Sequence, residues 1–335
     1  MTRPDQTRPD QTRPDHDLKH ALKSLKEFLK RHDRFHILRR IAHPIYYFLW
    51  GRDRTFFHPF SKKTYSKIPY IIRRKSPDVG LFSYFNTILG GIAYADENGY
   101  IPVVDMKNYP NTYLFPDEVG RVNSWEYYFE QPGGISLEEA MSSRKYILGR
   151  DTSLHNRSQT IDYKRSLFKK YIRFTQPVLE RVEAMKQKFY GMRLLGVHIR
   201  GTDIATGKFK NHSIQPTAKQ AISKVREVMK DEKFDAIYLS TEDKNIVSEF
   251  LSAFGEKLLL PEAQYVDYDG SGEPIDNFHV DRENYKYLSG LDYVVSIIFL
   301  STCKGLLVSG SNGSGAALLF SDSFEYLYVF DLGLY

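Results

Sequence analysis

The stretch Leu194–Lys208, "LLGVHIRGTDIATGK", decides the fold prediction. Its first residues are apolar or small, which is typical of a buried strand, and His198, Arg200 and Asp203 follow where that strand ends. Further along the chain, an amphipathic pattern over 217–231 is followed by another apolar run that starts at 236. Strands that alternate with helices are typical of parallel sheets covered by helices. The sequence therefore predicts an α/β fold.

The alternation extends on both sides of a break near residues 185–192. A chain of 335 residues is long enough for two domains. We therefore predict two Rossmann-like domains that face a cleft, one over residues 66–188 and one over residues 189–335. A repeat tail over residues 1–16 and a basic helical segment over residues 17–65 precede them.

The start of the chain has two parts of different composition. Residues 2–16 are three near-copies of "TRPDQ", and a proline at every fifth position predicts a disordered tail because it prevents a helix. Residues 17–50 instead place Leu18, Leu22, Leu25 and Leu29 at helical spacing among Lys and Arg. Three interpretations stay open for this segment: a helix packed on the protein body, an interfacial helix on an anionic membrane, or a contact with nucleic acid.

Composition limits the classes of protein that the chain can belong to. The net charge of +6 favours an anionic partner, which can be nucleic acid, a membrane surface or a phosphorylated substrate. The single cysteine, Cys303, rules out a disulfide within the chain and lies in an apolar run, so we expect it in the core. The chain starts with no signal-peptide pattern and contains no run of 18 apolar residues. These features predict a cytoplasmic protein.

Polar or small residues follow three apolar strands of the second half, in "GVHIRGTD", "YLSTED" and "LLVSGSNGSG". In open parallel sheets, ligands bind outside the carboxyl ends of the strands, so these residues should meet at one rim. The rim contains one cation, several carboxylates and a loop of small residues that opens a helix. The residues concerned are Arg200, Asp203, Glu242, Asp243, Ser309, Ser311, Asn312, Gly313 and Ser314.

This set of residue types fits a nucleoside diphosphate that carries a further group. The planar guanidinium of an arginine matches phosphate oxygens, and the backbone N–H groups of a small-residue loop at a helix start also attract phosphate. Carboxylates suit ribose hydroxyls or the N–H edge of guanine. The glycine patterns of dinucleotide-binding enzymes and of P-loop ATPases are absent from these stretches, which argues against hydride transfer and ATP hydrolysis.

Four motifs together resemble the GDP-fucose-dependent fucosyltransferases, most closely the α1,6- and protein O-fucosyltransferase group. They are His198–Asp203, Leu239–Asp243, Phe299–Ser301 and Val308–Asn312, and the resemblance spans roughly residues 190–320. It implies a glycosyltransferase-B fold, GDP-fucose as the donor, and no metal or other cofactor. Residues 189–335 would then bind the nucleotide sugar, and residues 66–188 would bind the acceptor.

The resemblance also implies roles for individual residues. Arg200 would hold the β-phosphate with help from Ser311 and Asn312, while His198 and the segment Thr241–Asp243 would line the nucleoside. The remaining donor-site residues that it implies are Gly80, Asn86, Gly201 and Thr202. An inverting transfer also needs a base for the acceptor hydroxyl, for which Asp203, Asp105 and Glu126 are candidates.

The acceptor-side prediction rests on "NSWEYYFEQPGG", residues 123–134. Aromatic faces flanked by polar residues suit sugar rings, so Trp125, Tyr127 and Tyr128 are predicted to bind the acceptor. The opposing interpretation of this stretch is an ordinary hydrophobic patch beneath a loop. Asp267 and Asp269 have the spacing that metal-dependent glycosyltransferases use, but Asp and Gly are also typical of turns, so we predict no metal site.

These observations predict an inverting, metal-independent fucosyltransferase that uses GDP-fucose. Its expected acceptor is a glycan of a polysaccharide or a lipid-linked oligosaccharide, and residues 17–50 give it a candidate peripheral contact with the inner membrane face. Two alternatives remain, namely a transferase that uses another nucleotide sugar and a nucleic-acid-binding protein. The sequence lacks the interleaved basic and aromatic residues on a strand that would favour nucleic-acid binding, so no nucleic-acid partner is predicted.

Overall fold

The computed structural model describes residues 51–77, 79–151, 160–200, 212–267 and 282–335. Residues 53–335 form one compact unit. The predictions for the repeat tail, for residues 17–50 and for Gly201, Thr202, Asp203 and Asp269 lie outside the described residues.

The first half of the described chain forms a four-stranded sheet. Its strands are β1 (Arg54–Phe57), β2 (Pro69–Arg73), β3 (Ile101–Asp105) and β4 (Lys145–Asp151), in the order β1-β4-β2-β3. Strand β1 runs antiparallel to β4, and the other pairs are parallel. Helix α1 (Leu81–Glu97) joins β2 to β3, and the short helix α2 (Leu137–Met141) precedes β4. Residues Arg54–Phe57, which the sequence analysis placed in the basic helical segment, are the edge strand of this sheet.

The second half forms a five-stranded sheet in which every neighbouring pair is parallel. Its strands are β5 (Leu194–His198), β6 (Ala236–Ser240), β7 (Leu258–Leu259), β8 (Gly305–Ser309) and β9 (Tyr326–Phe330), in the order β7-β6-β5-β8-β9. Strand β5, with which the stretch Leu194–Lys208 begins, is therefore the central strand of this sheet. The predicted α/β fold is confirmed, because helices connect these parallel strands.

Six further helices complete the described chain. They are α3 (Ile161–Tyr171), α4 (Gln176–Lys188), α5 (Ala218–Asp231), α6 (Lys244–Phe254), α7 (Tyr285–Leu300) and α8 (Asn312–Phe320). Side chains that cap the first turn fix where several of them begin; for example, the Thr217 hydroxyl accepts a hydrogen bond from the Gln220 amide at the start of α5. Among the described residues, no helix is both long and apolar enough to cross a bilayer.

Alternate residues of each buried strand enter different cores, as the two-residue period of a strand requires. In β2, Tyr70 and Ile72 join a large cluster that also contains buried residues of the second sheet, whereas Ile71 packs with α2 on the other face. In β5, Leu195 and Val197 pack with α5 and α6. The large cluster also includes the buried thiol of Cys303, which confirms the predicted core position.

Candidate functional site

A pocket lies at the carboxyl ends of β5, β6 and β7, where the sequence predicted a ligand. It contains about 1040 Å³ of space free of protein atoms, part of it open to solvent. The strand ends contribute His198 to Arg200 and Ser240 to Glu242, and Thr112 and Tyr113 come from the first half of the chain. The remaining lining residues are Pro261, Ala263, Gln264, Val266, Tyr285, Lys286, Ser289, Asp292, Tyr293 and Ser296.

Arg200 lies two residues beyond the end of the central strand, and its side chain lines the pocket. Its Nη1 donates a hydrogen bond to Glu242 Oε2 at 3.2 Å, across the ends of β5 and β6. Only 16% of the Arg200 side chain is exposed, so water screens its charge weakly. A largely buried guanidinium that is oriented by a neighbouring carboxylate is suited to hold a phosphate group in the pocket.

His198, the last residue of β5, is buried and neutral. Burial, together with the positive charge of Arg200, lowers the pKa of its imidazole to about 3. Its Nδ1 lies 2.9 Å from Ser314 Oγ, and the Ser311 hydroxyl donates to Ser314 Oγ at 3.0 Å. Ser311 Oγ also caps α8 by accepting from the Ser314 amide at 3.1 Å. The end of β5 is thereby joined to the start of α8.

Two glycines allow this junction to be close-packed. A Cβ atom on Gly313 would lie 2.3 Å from the Tyr293 hydroxyl oxygen and 2.9 Å from His198 Cε1. A Cβ atom on Gly310 would lie 2.2 Å from Ser213 Oγ. The loop residues therefore pack against His198 and fix its position. The pocket lining does not include the five predicted donor residues of this loop, which are Ser309, Ser311, Asn312, Gly313 and Ser314. Ser309 is buried and bonds to Gln215, while Asn312 is exposed.

Asp243 has a structural position that the sequence did not reveal. Its carboxylate is completely buried and accepts hydrogen bonds from the backbone amides of Asn245 at 2.8 Å and Ile246 at 3.4 Å. It is the N-cap of α6. Of the predicted segment Thr241–Asp243, the first two residues line the pocket and the third fixes the helix that follows.

The predicted donor residues of the first half, Gly80 and Asn86, and the candidate base Asp105 do not line this pocket. Gly80 is the N-cap of α1, and Asn86 is an exposed residue of that helix whose Oδ1 accepts from Lys164 at 2.9 Å. Asp105 ends β3, and its Oδ1 accepts from the amides of Lys107 and Asn108, each at 3.0 Å. Its carboxylate therefore closes a turn, and it does not line the pocket.

Two of the three predicted acceptor rings are core residues. The side chains of Trp125 and Tyr128 are completely buried, so neither ring has a face that could receive a sugar in this structure. Trp125 stacks on Phe129 with 4.3 Å between ring centroids, and the Tyr128 hydroxyl donates to the Tyr287 carbonyl at 2.9 Å. A local run of aromatic residues does not distinguish a surface platform from a buried cluster, because burial depends on distant parts of the chain.

Tyr127 and Glu126 line a second, more open pocket. Its other lining residues are Phe115, Glu118, Thr175, Pro177, Asn284 and Tyr287. Burial, followed by the nearby Glu118 carboxylate, raises the pKa of Tyr127 to about 12. The Glu126 carboxylate is exposed and accepts from Gln131 Nε2 at 2.7 Å. Segments 112–115 and 284–287 separate the two pockets, because each segment has residues in both linings. Thr112, Tyr113, Tyr285 and Lys286 line the first pocket, and Phe115, Asn284 and Tyr287 line the second.

Within the described residues, no group of three or more His, Cys, Asp or Glu side chains is arranged to hold a metal ion. The Asp267 carboxylate lies 3.5 Å from Lys244 Nζ. Its predicted metal-binding companion, Asp269, lies outside the described residues.

No protein-family model matches the chain, and no curated protein sequence matches it. Solved structures do match. One is NodZ alpha-1,6-fucosyltransferase soaked with GDP-fucose, which is 13% identical, has a TM-score of 0.50, and aligns over 79% of this chain and 96% of that one. Another is POFUT1 in complex with GDP, which is 9% identical, has a TM-score of 0.51, and aligns over 78% of this chain and 98% of that one.

This chain shares its fold with fucosyltransferases. The predicted similarity to the α1,6- and protein O-fucosyltransferase group is confirmed at the level of fold, and so is the glycosyltransferase-B-like class. Identities of 9–13% carry no information on catalytic detail.

Helix α7 provides a wall of the pocket that was not predicted from the sequence. Tyr285, Ser289, Asp292, Tyr293 and Ser296 recur at helical spacing within an otherwise apolar stretch, and this polar stripe was the available signal. Asp292 on this stripe is held by two guanidinium groups, with Oδ1 2.7 Å from Arg181 Nη1 and Oδ2 2.5 Å from Arg282 Nη1.

Proposed function

We propose that this protein is a glycosyltransferase that moves fucose from GDP-fucose to a glycan acceptor. The observation that carries the proposal is the position of Arg200. It lines a pocket at the carboxyl end of the central strand, in a fold shared with NodZ soaked with GDP-fucose and with POFUT1 in complex with GDP. A ligand at this end of a parallel sheet follows the general rule for open α/β folds.

In the proposed complex, the diphosphate of the donor lies against Arg200. Glu242 holds the guanidinium in place before the ligand arrives, which reduces the reorganisation that binding requires. Because His198 is neutral at neutral pH, the wall beside Arg200 offers a hydrogen-bonding ring rather than a second charge. Thr241 and Ser240 add hydroxyl groups suited to a nucleoside. Gly201 and Thr202, which follow Arg200, remain predicted donor residues.

The proposed reaction is a single displacement. The oxygen of an acceptor hydroxyl forms a bond to C1 of fucose while the bond from C1 to the β-phosphate oxygen breaks, and the acceptor proton passes to a carboxylate. GDP leaves with the negative charge that Arg200 stabilises. This step inverts the anomeric centre and uses no metal ion. Asp203 is the preferred base, because the reacting hydroxyl must reach C1 of fucose beside Arg200 and Asp203 follows Arg200 by three residues in the sequence. Asp105 closes a turn, and Glu126 lies beyond the segments 112–115 and 284–287 that separate the two pockets.

We assign the acceptor to the side of the second pocket. Tyr127 and Tyr287 give it two half-buried rings, and Glu118 and Glu126 give it carboxylates that can accept hydrogen bonds from sugar hydroxyls. Tyr127→Ala should raise the acceptor KM severalfold and leave GDP affinity unchanged, as measured by steady-state kinetics and calorimetry. Loss of GDP affinity would place Tyr127 in the support of the donor pocket instead.

The function is tested with the full chain and a panel of nucleotides. GDP should raise the melting temperature, whereas UDP and a short DNA duplex should not, and GDP-fucose should be hydrolysed or transferred in excess EDTA. If the protein prefers another nucleotide sugar, the proposed donor pocket is retained and GDP-fucose is replaced as the proposed donor. Stabilisation by DNA alone would overturn the enzyme proposal, and activity that requires Mn²⁺ would overturn the metal-independent step.

We further propose that the acceptor belongs to a polysaccharide or a lipid-linked oligosaccharide, and that the protein acts in the cytoplasm. The support is chemical: nucleotide sugars fit the predicted cytoplasmic setting, and the basic segment 17–50 suits an anionic membrane on which such acceptors are assembled. Incubation with labelled GDP-fucose and membrane or soluble glycan fractions identifies which fraction becomes labelled.

A further inference from the structure

Exposed phenylalanines lie at the edge of the first sheet and do not line the pocket. Phe60 is 98% exposed, Phe57 is 66% exposed and Phe56 is 37% exposed. They fall within one stretch, "FFHPF", that starts in edge strand β1. Successive side chains of a strand point to opposite faces, so Phe56, which stacks on Tyr146, and Phe57 lie on different faces of β1. Phe57 and Phe60 are the two most exposed of these rings, and large exposed apolar side chains close together in a chain are typical of an interaction site.

The loop that carries Phe60 is fixed at both ends. The His58 amide donates to the Arg144 carbonyl at 2.9 Å, and the Arg144 amide donates to the Lys63 carbonyl at 2.8 Å. The Ser61 hydroxyl donates to the Ser142 carbonyl at 2.7 Å. Phe60 therefore lies at the tip of an anchored turn and is presented to solvent by its own backbone.

Basic side chains lie along the strand pair and the loop that carry these rings. Lys145 is the cross-strand partner of Phe57, and its Nζ lies 5.3 Å from the centre of that ring. The exposed residues Arg54, Lys62 and Arg144 lie on the same strand pair and loop. Aromatic rings next to basic side chains are suited to the interface of an anionic bilayer, where rings enter the headgroup layer and cations meet lipid phosphates.

The acidic groups near this surface are engaged in contacts of their own. Glu139 Oε1 lies 2.6 Å from Lys63 Nζ. The Asp53 carboxylate accepts from the hydroxyls of Tyr70 and Tyr94, each at 3.0 Å, and from the Arg150 amide at 2.8 Å. Lys63 offsets the charge of Glu139, and the single charge of Asp53 is outnumbered by the exposed cations of the strand pair and loop, so the net charge presented to a partner is positive.

Chain order adds a second argument for a lipid surface. The residues that directly precede β1, numbers 17–50, contain eight Lys or Arg against three Asp or Glu and end in "IYYFLW". A partner that attracts both this segment and the phenylalanine loop must be anionic and must accept apolar rings, and an anionic bilayer has both properties.

We propose that the loop His58–Lys63, together with the adjoining edge of β1 and β4, is a membrane-insertion surface for anionic lipid. Phe57 and Phe60 enter the headgroup layer, and the surrounding cations hold the surface to phosphates. This assignment does not depend on the fucosyltransferase proposal, because none of these residues lines either pocket.

The test is co-sedimentation of the full chain with vesicles of phosphatidylcholine alone or mixed with phosphatidylglycerol. Binding to the mixed vesicles only, weakening with salt, is expected. Phe60→Ser should reduce the partition coefficient about tenfold, because burial of one phenylalanine is worth roughly that factor. The matched control is Tyr190→Ser, since Tyr190 is 90% exposed and should leave binding unchanged. Unchanged melting temperatures would show that both variants fold.

Three results would overturn the proposal. The first is no binding to mixed vesicles, and the second is equal binding by wild type and Phe60→Ser, which would assign the attraction to residues outside the loop. The third is self-association of the full chain, measured by sedimentation equilibrium without lipid, that Phe60→Ser abolishes. That result would make the surface an interface between copies of the chain.

Discussion

The carboxyl edges of the two sheets differ in how they use their polar residues. At the second sheet, Arg200 and Glu242 follow their strands and line a pocket. At the first sheet, Arg73 Nη1 donates to the Tyr109 hydroxyl at 3.1 Å and Asp105 closes a turn. Polar residues at strand ends thus form a ligand site at one edge and hold the backbone at the other. The neighbours that each side chain contacts decide between these outcomes.

The largest effect is expected for Arg200→Ala. The variant should lose transfer by a factor of about 10² to 10³, on the order of 3–4 kcal/mol in the transition state, because the leaving diphosphate loses its charged partner. Steady-state kinetics with GDP-fucose measures the loss. Arg200→Lys is the control that keeps the charge without the planar fork. Near-normal turnover by a folded Arg200→Ala protein would contradict the assignment of this edge as the donor site.

Asp203 and Asp105 provide the next comparison. Asp203→Asn should lower kcat about a hundredfold or more while GDP affinity changes little, because a general base is lost. Asp105→Ala should instead lower the free energy of unfolding by about 1–2 kcal/mol, since two backbone amides lose their acceptor. Kinetics and chemical denaturation of both variants separate the roles. A large loss of kcat in Asp105→Ala without a loss of stability would contradict the structural role assigned to Asp105.

Gly313 tests whether the loop behind His198 must be tightly packed. Gly313→Ala should weaken GDP binding several fold and lower the melting temperature, because its Cβ would meet Tyr293 and His198. Gly315 lies in the same helix, and a Cβ added there would meet no atom within 4 Å, so Gly315→Ala should leave binding intact and slightly stabilise the helix. Calorimetry of GDP binding distinguishes the two, and equal affinities would show that the loop tolerates expansion.

The last comparison concerns acid stability. The pKa of His198 falls from 6.5 in the unfolded chain to about 3 in the folded one, so the folded state resists protonation. The stabilisation is fully present above pH 6.5 and is lost as the pH falls from 6.5 towards 3. Denaturant titrations of wild type and His198→Gln should therefore diverge at neutral pH and converge on acidification. Parallel curves over that interval would mean that His198 does not titrate differently on folding.

Much of the architecture could be predicted because strand and helix periods are local properties. The central position of "LLGVH" and the pocket residues His198, Arg200, Thr241 and Glu242 follow from the rule on strand ends. The same rule misplaced Asp243 and Asp105, because an aspartate after a strand is equally suited to cap a helix or a turn. Only tertiary contacts separate these cases.

The acceptor side was harder to predict for a related reason. Trp125 and Tyr127 are neighbours in the same aromatic run, yet one is completely buried and the other lines a pocket. No local pattern separates them, because the difference depends on what α7 and the first sheet bring against each ring. The polar stripe of α7 could be seen in the sequence, but the residues that lie opposite it in the fold could not.

The packing of α7 has a consequence for how the pocket opens. Gly290 lies on this helix where a Cβ would come within 2.1 Å of the Tyr128 hydroxyl oxygen, so the helix is locked against the core while its polar stripe lines the pocket. The amide hydrogens of α7 should exchange with solvent only through global unfolding, whereas those of the irregular segment 262–265 should exchange through local opening. One part of the pocket lining would then open only when the whole protein unfolds, and the segment that follows β7 would be the part able to move when a ligand binds.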